Sequence, residues 1–109
     1  MHITFTPMRL DKDLTLEKQG EVLFINGEAF DFSPLPEGYI LPRAAVACDW
    51  LISDVTRADG ALQMTLILPH GALAPHETLF PAPMTLTTDG PVDLPPFDSP
   101  AFETEEAQR

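Results

Sequence analysis

Apolar and polar residues alternate along most of this chain, and residues typical of turns interrupt the alternation at short intervals. A period of two places successive side chains on opposite faces of an extended strand, so the pattern predicts β-strands. The first segment, residues 2–6, sets Ile3 and Phe5 against polar neighbours. Pro7 follows it, and because proline has no N–H for a ladder, we expect an edge position or a bend there.

An Asn-Gly pair at positions 26 and 27 predicts the first hairpin. Both central residues of a type I′ turn need a positive φ, which Asn and Gly tolerate better than other residues. A two-residue loop at this place sets Ile25 opposite Glu28 and Leu23 opposite Phe30. The chain from residue 21 to residue 32 is therefore expected to form two paired strands.

A Gln-Gly pair at positions 19 and 20 predicts another two-residue turn, which completes a three-stranded meander. The register that follows is Leu16 opposite Leu23 and Leu14 opposite Ile25. Both turns then agree on one apolar face, formed by Leu14, Leu16, Leu23, Ile25, Phe30 and Phe32. Val22 and Phe24 fall on the opposite face, which we expect to be partly covered. Across the turn, Lys18 and Glu21 are expected to form a surface ion pair.

An Asp-Gly pair at positions 59 and 60 predicts the longest hairpin of the chain. Its register opposes Val55 to Met64, Ser53 to Leu66 and Leu51 to Leu68. The core face then consists of Leu51, Val55, Leu62, Met64, Leu66 and Leu68, while Asp54, Thr56, Gln63 and Thr65 face water. Such a clean division between faces is typical of an antiparallel ribbon with one buried side.

Two other stretches break the alternation. Between residues 33 and 49, Pro34, Pro36 and Gly38 indicate a loop, and Pro42 is suited to open a helical turn, since proline fits the first helical position. We expect at most two turns of helix near residues 42–48. Further on, the segments "MTLTT" and "VDLP" flank an Asp-Gly pair at 89–90, where the lack of an N–H on the next residue, a proline, predicts a looser turn.

These elements predict a mainly-β fold, a small antiparallel sandwich or open barrel built from hairpins, with about seven to eight strands. We expect one domain over residues 1–95. Residues 96–109 are acidic and proline-rich, which predicts a mobile C-terminal tail. Phe97 and Phe102 leave the alternative that this tail is a short docking segment.

The charge balance narrows the range of partners. The chain has 17 acidic and 6 basic residues and a formal net charge of -11. Nucleic acid and anionic membranes both bind through clustered Lys or Arg, so neither is an expected partner. The single Cys48 cannot form an intramolecular disulfide, which fits a reducing compartment. No stretch approaches the ~20 apolar residues of a membrane span, and the N-terminus lacks the pattern of a signal peptide, so we expect a cytoplasmic protein.

Candidate chemistry concentrates in "LILPHGALAPHETLFPAP", residues 66–83, which holds two of the three histidines and four prolines. We call residues 69–83 the histidine loop. Long loops of this kind are often functional, so we predict a partner-binding loop, with Pro69, His70, Gly71, Pro75, His76, Glu77 and Phe80 as candidate contact residues.

A metal or catalytic site in the histidine loop is the competing hypothesis. His70 and His76 are six residues apart with Glu77 beside the second, a spacing that matches no recognised zinc pattern. His2 would complete a three-histidine set only if folding brought it near. We therefore predict no catalytic residue, no metal ligand and no cofactor, and keep a metal-binding protein or enzyme centred on His70 and His76 as the alternative.

Other reactive residues have simpler interpretations. Cys48 is followed by Asp49, whose negative charge opposes formation of a reactive thiolate, so a small buried side chain is expected. Trp50 is expected in the core. Asp11 and Asp13 lack the further ligands and the central glycine of a calcium loop, so a solvated turn is expected. No phosphate-binding loop or dinucleotide fingerprint is present.

Three stretches, "FINGEAFDFSPLPEG", "LQMTLILPHGALAP" and "FPAPMTLTTDGPVDLP", resemble a family of small, uncharacterised proteins encoded in phage and prophage tail-gene regions of proteobacteria. The likeness spans residues 1–96. It implies a non-enzymatic accessory role in tail or tail-fibre assembly, a protein partner such as a tail component, and a location in the cytoplasm of a bacterial host or in the virion. A further alternative is a structural subunit that associates with copies of itself to form a homo-oligomer.

Overall fold

The structure is a computed structural model that describes residues 1–98. Two sheets and two short helical segments make up the described chain. The strands are β1 (His2–Arg9), β2 (Leu16–Gln19), β3 (Val22–Ile25), β4 (Glu28–Asp31), β5 (Ile40–Leu41), β6 (Val55–Ala58), β7 (Ala61–His70), β8 (Met84–Thr85) and β9 (Gly90–Pro91). A 3₁₀ turn covers Arg43–Ala45, and helix α1 covers His76–Leu79.

The first sheet has the strand order β5-β6-β7-β1-β8, and the second has the order β4-β3-β2-β9. All neighbours are antiparallel except β1 and β7, which run parallel. The predicted fold class, mainly β with antiparallel hairpins and one short helical turn, is confirmed. Within residues 1–98 neither sheet closes into a barrel. Residues 1–98 form nine strands, whereas about seven to eight were predicted. The difference comes from very short strands of two residues each, such as β5 and β8.

The core lies between the two sheets. It is built from the alternate side chains that the sequence places on one face of each hairpin, together with those of β1. The core residues are Ile3, Phe5, Leu14, Leu16, Leu23, Ile25, Phe32, Leu51, Val55, Leu62, Met64, Leu66 and Leu68. Ile67 is also buried, but it lies on the opposite face of β7. The predicted apolar faces are therefore confirmed, with Phe30 half-buried at the margin.

The position of Pro7 follows from the direction of the backbone groups in β1. Leu10 N–H donates to His70 O (3.2 Å), and Met1 exchanges hydrogen bonds with Leu86 on the other side of the strand. Because successive peptides point to opposite sides, the missing N–H of Pro7 lies on the side away from β7. There, β8 pairs only with the first two residues of β1. The edge position is confirmed on this side, and the strand continues without ending at the proline.

The hairpin at positions 26 and 27 has the predicted register. Ile25 faces Glu28, and Leu23 faces Phe30. Asn26 and Gly27 have φ values of 51° and 84°, as a type I′ turn requires. The Asn26 side chain also accepts a hydrogen bond from Thr15 N–H at 2.7 Å, which ties the turn to the chain entering β2.

The turn between β2 and β3 differs from its prediction. Gln19 pairs with Val22, so the loop consists of Gly20 and Glu21, and Leu16 faces Ile25 where Leu23 was expected. Gly20 has a φ of 63°, which explains why the glycine lies inside the loop at this position. The register error amounts to two residues, and since side chains alternate with a period of two, the predicted apolar face is unchanged.

The ion pair predicted between Lys18 and Glu21 is wrong. Lys18 Nζ instead lies 3.1 Å from the carboxylate of Asp89, which also accepts from Gly20 N–H at 2.9 Å. The Gly20 N–H and then Lys18 hold the pKa of Asp89 below its ordinary value. Glu21 turns towards the other sheet, where it binds Arg57.

Arg57 on β6 connects the two sheets. Its guanidinium forms a bidentate pair with Glu21, with N–O distances of 2.7 and 2.9 Å. Nε donates to Leu35 O at 2.6 Å, and Nη2 donates to Phe32 O at 3.2 Å. The hydrogen-bonded guanidinium holds the pKa of Glu21 below its ordinary value. One side chain therefore fixes a turn of the second sheet and the loop after β4 against the first sheet.

The hairpin at positions 59 and 60 is confirmed near its turn, where Ala58 faces Ala61 and Thr56 faces Gln63. Further from the turn, Leu51 bridges Leu66, which was expected to face residue 53. The chain between Leu51 and Thr56 has two more residues than the paired part of β7, and these form a bulge. Within it, the Ser53 hydroxyl accepts a hydrogen bond from Thr65 N–H at 2.8 Å. The bulge leaves the buried face intact.

The segments that flank the looser turn predicted at positions 89 and 90 do not pair with each other. β8 pairs with β1 in the first sheet, whereas β9 pairs with β2 in the second sheet. The segment between them thus carries the chain from one sheet to the other. The helical turn expected near residues 42–48 is confirmed by the 3₁₀ turn Arg43–Ala45. Phe102 and most of the predicted tail, residues 99–109, lie outside the described residues.

Candidate partner-binding site

The histidine loop begins at the end of β7, beside β1. Pro69 pairs with Met8 and His70 pairs with Arg9, so both residues belong to the sheet. Pro69 is buried and His70 is half-buried. The parallel pairing of β1 with β7 therefore places the start of the loop next to the half of β1 that has no β8 partner.

The middle of the loop forms the helix α1, which the sequence analysis did not predict. Pro75 precedes it, and its carbonyl accepts from Thr78 N–H (3.0 Å) and Leu79 N–H (3.2 Å). His76 and Phe80 are four residues apart and therefore lie on one side of the turn. Their rings stack with centroids 4.8 Å apart and a tilt of 34°.

The loop is anchored by the chain at residues 96–98. Thr78 is fully buried, and its hydroxyl donates to Pro96 O at 2.6 Å. Gly71 N–H donates to Phe97 O at 2.9 Å, and Leu73 N–H donates to the Asp98 carboxylate at 2.9 Å. These three hydrogen bonds hold both arms of the loop against one short segment.

Gly71 accommodates a close approach of the Asp98 side chain at this anchor. A Cβ atom at this position would collide with the carboxylate of Asp98. Glycine therefore leaves the space in which the Asp98 side chain reaches the N–H of Leu73. The sequence analysis named this glycine as a candidate contact residue of the loop, and its partner Asp98 is 27 positions away in the chain.

The anchored loop exposes large apolar side chains. Six such side chains are strongly exposed in the described residues, and three of them, Leu73, Leu79 and Phe80, lie within this loop. Leu73 is 60% exposed and Phe80 is 70% exposed. Several large apolar side chains that remain exposed to water in one part of a folded protein are typical of an interaction site.

The structure separates five of the seven predicted contact residues into two groups, and the other two, His70 and Pro75, are half-buried. Pro69 and Gly71 are buried, and they support the loop from beneath. His76, Glu77 and Phe80 are exposed. The sequence analysis missed Leu73 and Leu79 because a lone leucine in a loop carries no signal of its exposure.

The histidines of the metal hypothesis do not converge. His2 and His70 lie at opposite ends of the β1–β7 pair, since His2 pairs with Gln63 and Arg9 pairs with His70. At ~3.3 Å per residue this separates the two histidines by about 23 Å. Nδ1 of His70 lies 3.0 Å from the carbonyl of Gly71. Across residues 1–98, no group of three or more His, Cys, Asp or Glu side chains is placed to hold a metal ion.

A second concave surface lies on the outer face of the first sheet. We call it the outer groove; it has a volume of about 420 Å³, and its apolar lining consists of Met8, Leu10, Trp50 and Ile67. Asp11, Lys12 and Asp49 also line it, and all three are exposed. The predicted hairpin register already placed Ile67 on the side of β7 that carries Gln63 and Thr65 towards water, which was the available signal for this groove.

The remaining candidates have structural positions. Cys48 and Trp50 are half-buried and pack against the core, while Asp11 and Asp13 are exposed in the turn after β1.

Comparison of the chain with protein-family models, with curated proteins and with solved structures gives no match. Neither helical segment of the described residues, at three and four residues, has the length needed to cross a membrane.

Proposed function

We propose that the protein is a non-enzymatic binding module that recognises another protein through the histidine loop. The observation that carries this proposal is the exposure of Leu73 and Phe80 on a loop that is fixed by hydrogen bonds to residues 96–98. A loop that is already ordered loses little conformational entropy when it binds. Large aromatic side chains in such a position are typical anchors of protein interfaces.

The open edge of β1 extends this surface. Beyond Ile3, no other strand of the described chain pairs with β1 on the side away from β7. An extended partner segment can add a strand to such an edge through main-chain hydrogen bonds. Pro7, which has no N–H on this side, and the charged Arg9 limit such pairing to a short segment. The edge strand β4 carries Glu28 and Asp31, which also oppose strand addition.

The overall charge favours a partner with a basic surface. A net charge of -11 attracts positively charged proteins over several ångströms and accelerates their association at low salt. The resemblance to proteins of phage and prophage tail-gene regions gives the proposed partner class, a tail or tail-fibre component. In this proposal the protein acts in the cytoplasm of the bacterial host or in the virion, without nucleic acid or membrane as partners.

The test is co-purification with the products of the neighbouring genes. Each product is co-expressed with the full chain, and the complex is isolated by size-exclusion chromatography with mass determination by light scattering. We expect a tail protein to co-elute in a defined stoichiometry. Failure of every neighbouring product to bind would refute the proposal, and a stable oligomer of the 12.0 kDa chain alone would favour the structural-subunit alternative.

A matched pair of variants locates the contact. Phe80→Ser removes an exposed aromatic of the loop, whereas Tyr39→Ser removes one that is 64% exposed outside it. We expect the first variant to lose the complex and the second to retain it. Equal loss of the complex in both variants would show that binding depends on exposed aromatic surface in general and not on the histidine loop.

A further inference from the structure

We propose that the outer groove is a docking site for the C-terminal segment of this same chain, with Phe102 as the residue that fills it. The groove is apolar at its centre, where Trp50 and Ile67 are joined by a backbone hydrogen bond of 2.8 Å from Ile67 N–H to Trp50 O. A side chain that is both aromatic and uncharged fits this lining, because aromatic side chains gain most from burial beside other aromatic and aliphatic groups.

The place where the described chain ends brings the segment close to the groove. Phe97 O accepts from Gly71 N–H at 2.9 Å, and the adjoining His70 O accepts from Leu10 N–H at 3.2 Å. One peptide unit separates these two bonds, so Phe97 O lies within about 8 Å of Leu10 N. Leu10 itself lines the groove.

The reach from this point is sufficient. Phe102 follows Asp98 by four residues, and an extended chain covers roughly 13 Å over that length. The carboxylate of Asp98 is held by Leu73 N–H, which fixes where the segment starts. Phe102 is the only aromatic residue after Phe97 in the sequence. The anchor at residues 96–98 thus presents one aromatic residue at a suitable distance.

The charged residues around the outer groove favour one orientation of the C-terminal segment. Lys12 lines the groove and Arg9 lies beside it on β1, and neither forms an ion pair with another described residue. The segment carries glutamates at positions 103, 105 and 106. Asp11 and Asp49 oppose these glutamates, so apolar contact carries the binding and the basic residues favour one orientation.

Trp50 provides a direct measurement, because it is the only tryptophan of the chain and it lines the groove. In the full-length protein, Phe102→Ala is expected to shift Trp50 emission to longer wavelength and to increase its quenching by acrylamide. Thr104→Ala, in the same segment, is the matched control and should leave both unchanged. Circular dichroism of each variant shows that the fold is retained. Identical emission and quenching in the wild type and Phe102→Ala would overturn the proposal.

A peptide of residues 99–109 distinguishes this site from a nonspecific effect. Added to the full-length Phe102→Ala variant, the peptide should reverse the shift in a saturable way, and a peptide with the same substitution should not. The wild-type signal should be independent of protein concentration. A wild-type signal that rises with concentration would mean that the segment docks on a second copy, and it would overturn the assignment within one chain. This result does not depend on whether the histidine loop binds a partner.

Discussion

Replacing Thr78 by Val tests how the histidine loop is held in place. Valine has nearly the same shape as threonine, so the substitution removes the hydroxyl and leaves the volume of the fully buried site unchanged. The 2.6 Å hydrogen bond from the hydroxyl to Pro96 O is lost. Helix α1 should then separate more readily from residues 96–98.

The magnitude follows from the environment of the two groups. A buried hydrogen bond contributes about 0.5–1.5 kcal/mol net, and a carbonyl left without a donor costs about 1–3 kcal/mol. Pro96 is an exposed residue, so water reaches its carbonyl and the lower part of this range applies. We expect the free energy of unfolding to fall by about 1–2 kcal/mol, which corresponds to a fall in Tm on the order of 5–10 °C for a domain of this size.

The assay combines global and local readouts. Denaturant unfolding of Thr78→Val is compared with that of Thr56→Val, a half-buried threonine on β6 for which a change within about 0.5 kcal/mol is expected. Hydrogen exchange of the Gly71 and Leu73 amides reports the anchor, since both amides donate to residues 97 and 98. If Thr78→Val is as stable as the wild type and both amides keep their protection, the loop is not held by this contact.

Two further predictions concern the sheets and the core. Glu21→Gln removes the charge that binds Arg57; because the pKa of Glu21 is lowered in the folded state, its contribution is fully present above the ordinary carboxylate range and is lost as the pH falls through the folded-state pKa. The difference in unfolding free energy between wild type and Glu21→Gln should therefore shrink on acidification, and a difference that is constant from neutral to acidic pH would contradict the pairing. Leu66→Ala, at a position with no exposure, should lower the unfolding free energy by about 3–5 kcal/mol, whereas Ile40→Ala, 61% exposed, should change it by no more than about 0.5 kcal/mol; similar effects of the two substitutions in denaturant unfolding would place Leu66 outside the core.

The parts of the fold that were predictable depend on local chemistry. Asn26-Gly27 and Asp59-Gly60 supply two successive positive φ values, which fix both the turn type and the register of their hairpins. Gln19-Gly20 offered no such pair, and the loop formed one position later, around the φ of Gly20 and the contact of Glu21 with Arg57. The buried face was still correct because an error of two residues preserves alternation.

The parts that were not predictable depend on contacts between distant residues. Nothing near Pro7 or Leu68 in the sequence indicates that they are opposite one another in parallel strands. The Asp-Gly pair at 89–90 looks like a hairpin turn, but β1 and β2 each provide a partner for one flanking segment, and the two sheets draw the segments apart. Pairing of this kind is decided by the packing of the whole chain, which local turn signals do not record.

The candidate site shows the same division. The composition of residues 69–83 indicated a binding loop, and His76 and Phe80 lie on its exposed side. The order of the loop, however, comes from Pro96, Phe97 and Asp98, which the sequence analysis assigned to the tail. Hydrogen bonds between residues 18 to 26 positions apart decide which side chains face water, and no periodic pattern marks them.

The affinity for a neighbouring tail protein, measured by titration with the wild type and with Phe80→Ser, tests the central claim most directly. An exposed aromatic that anchors an interface contributes about 2 kcal/mol or more, so Phe80→Ser should weaken the dissociation constant by roughly thirty-fold or more, while Tyr39→Ser should leave it within about twofold of the wild type. Equal affinities of wild type and Phe80→Ser for a partner that does bind would contradict recognition through the histidine loop.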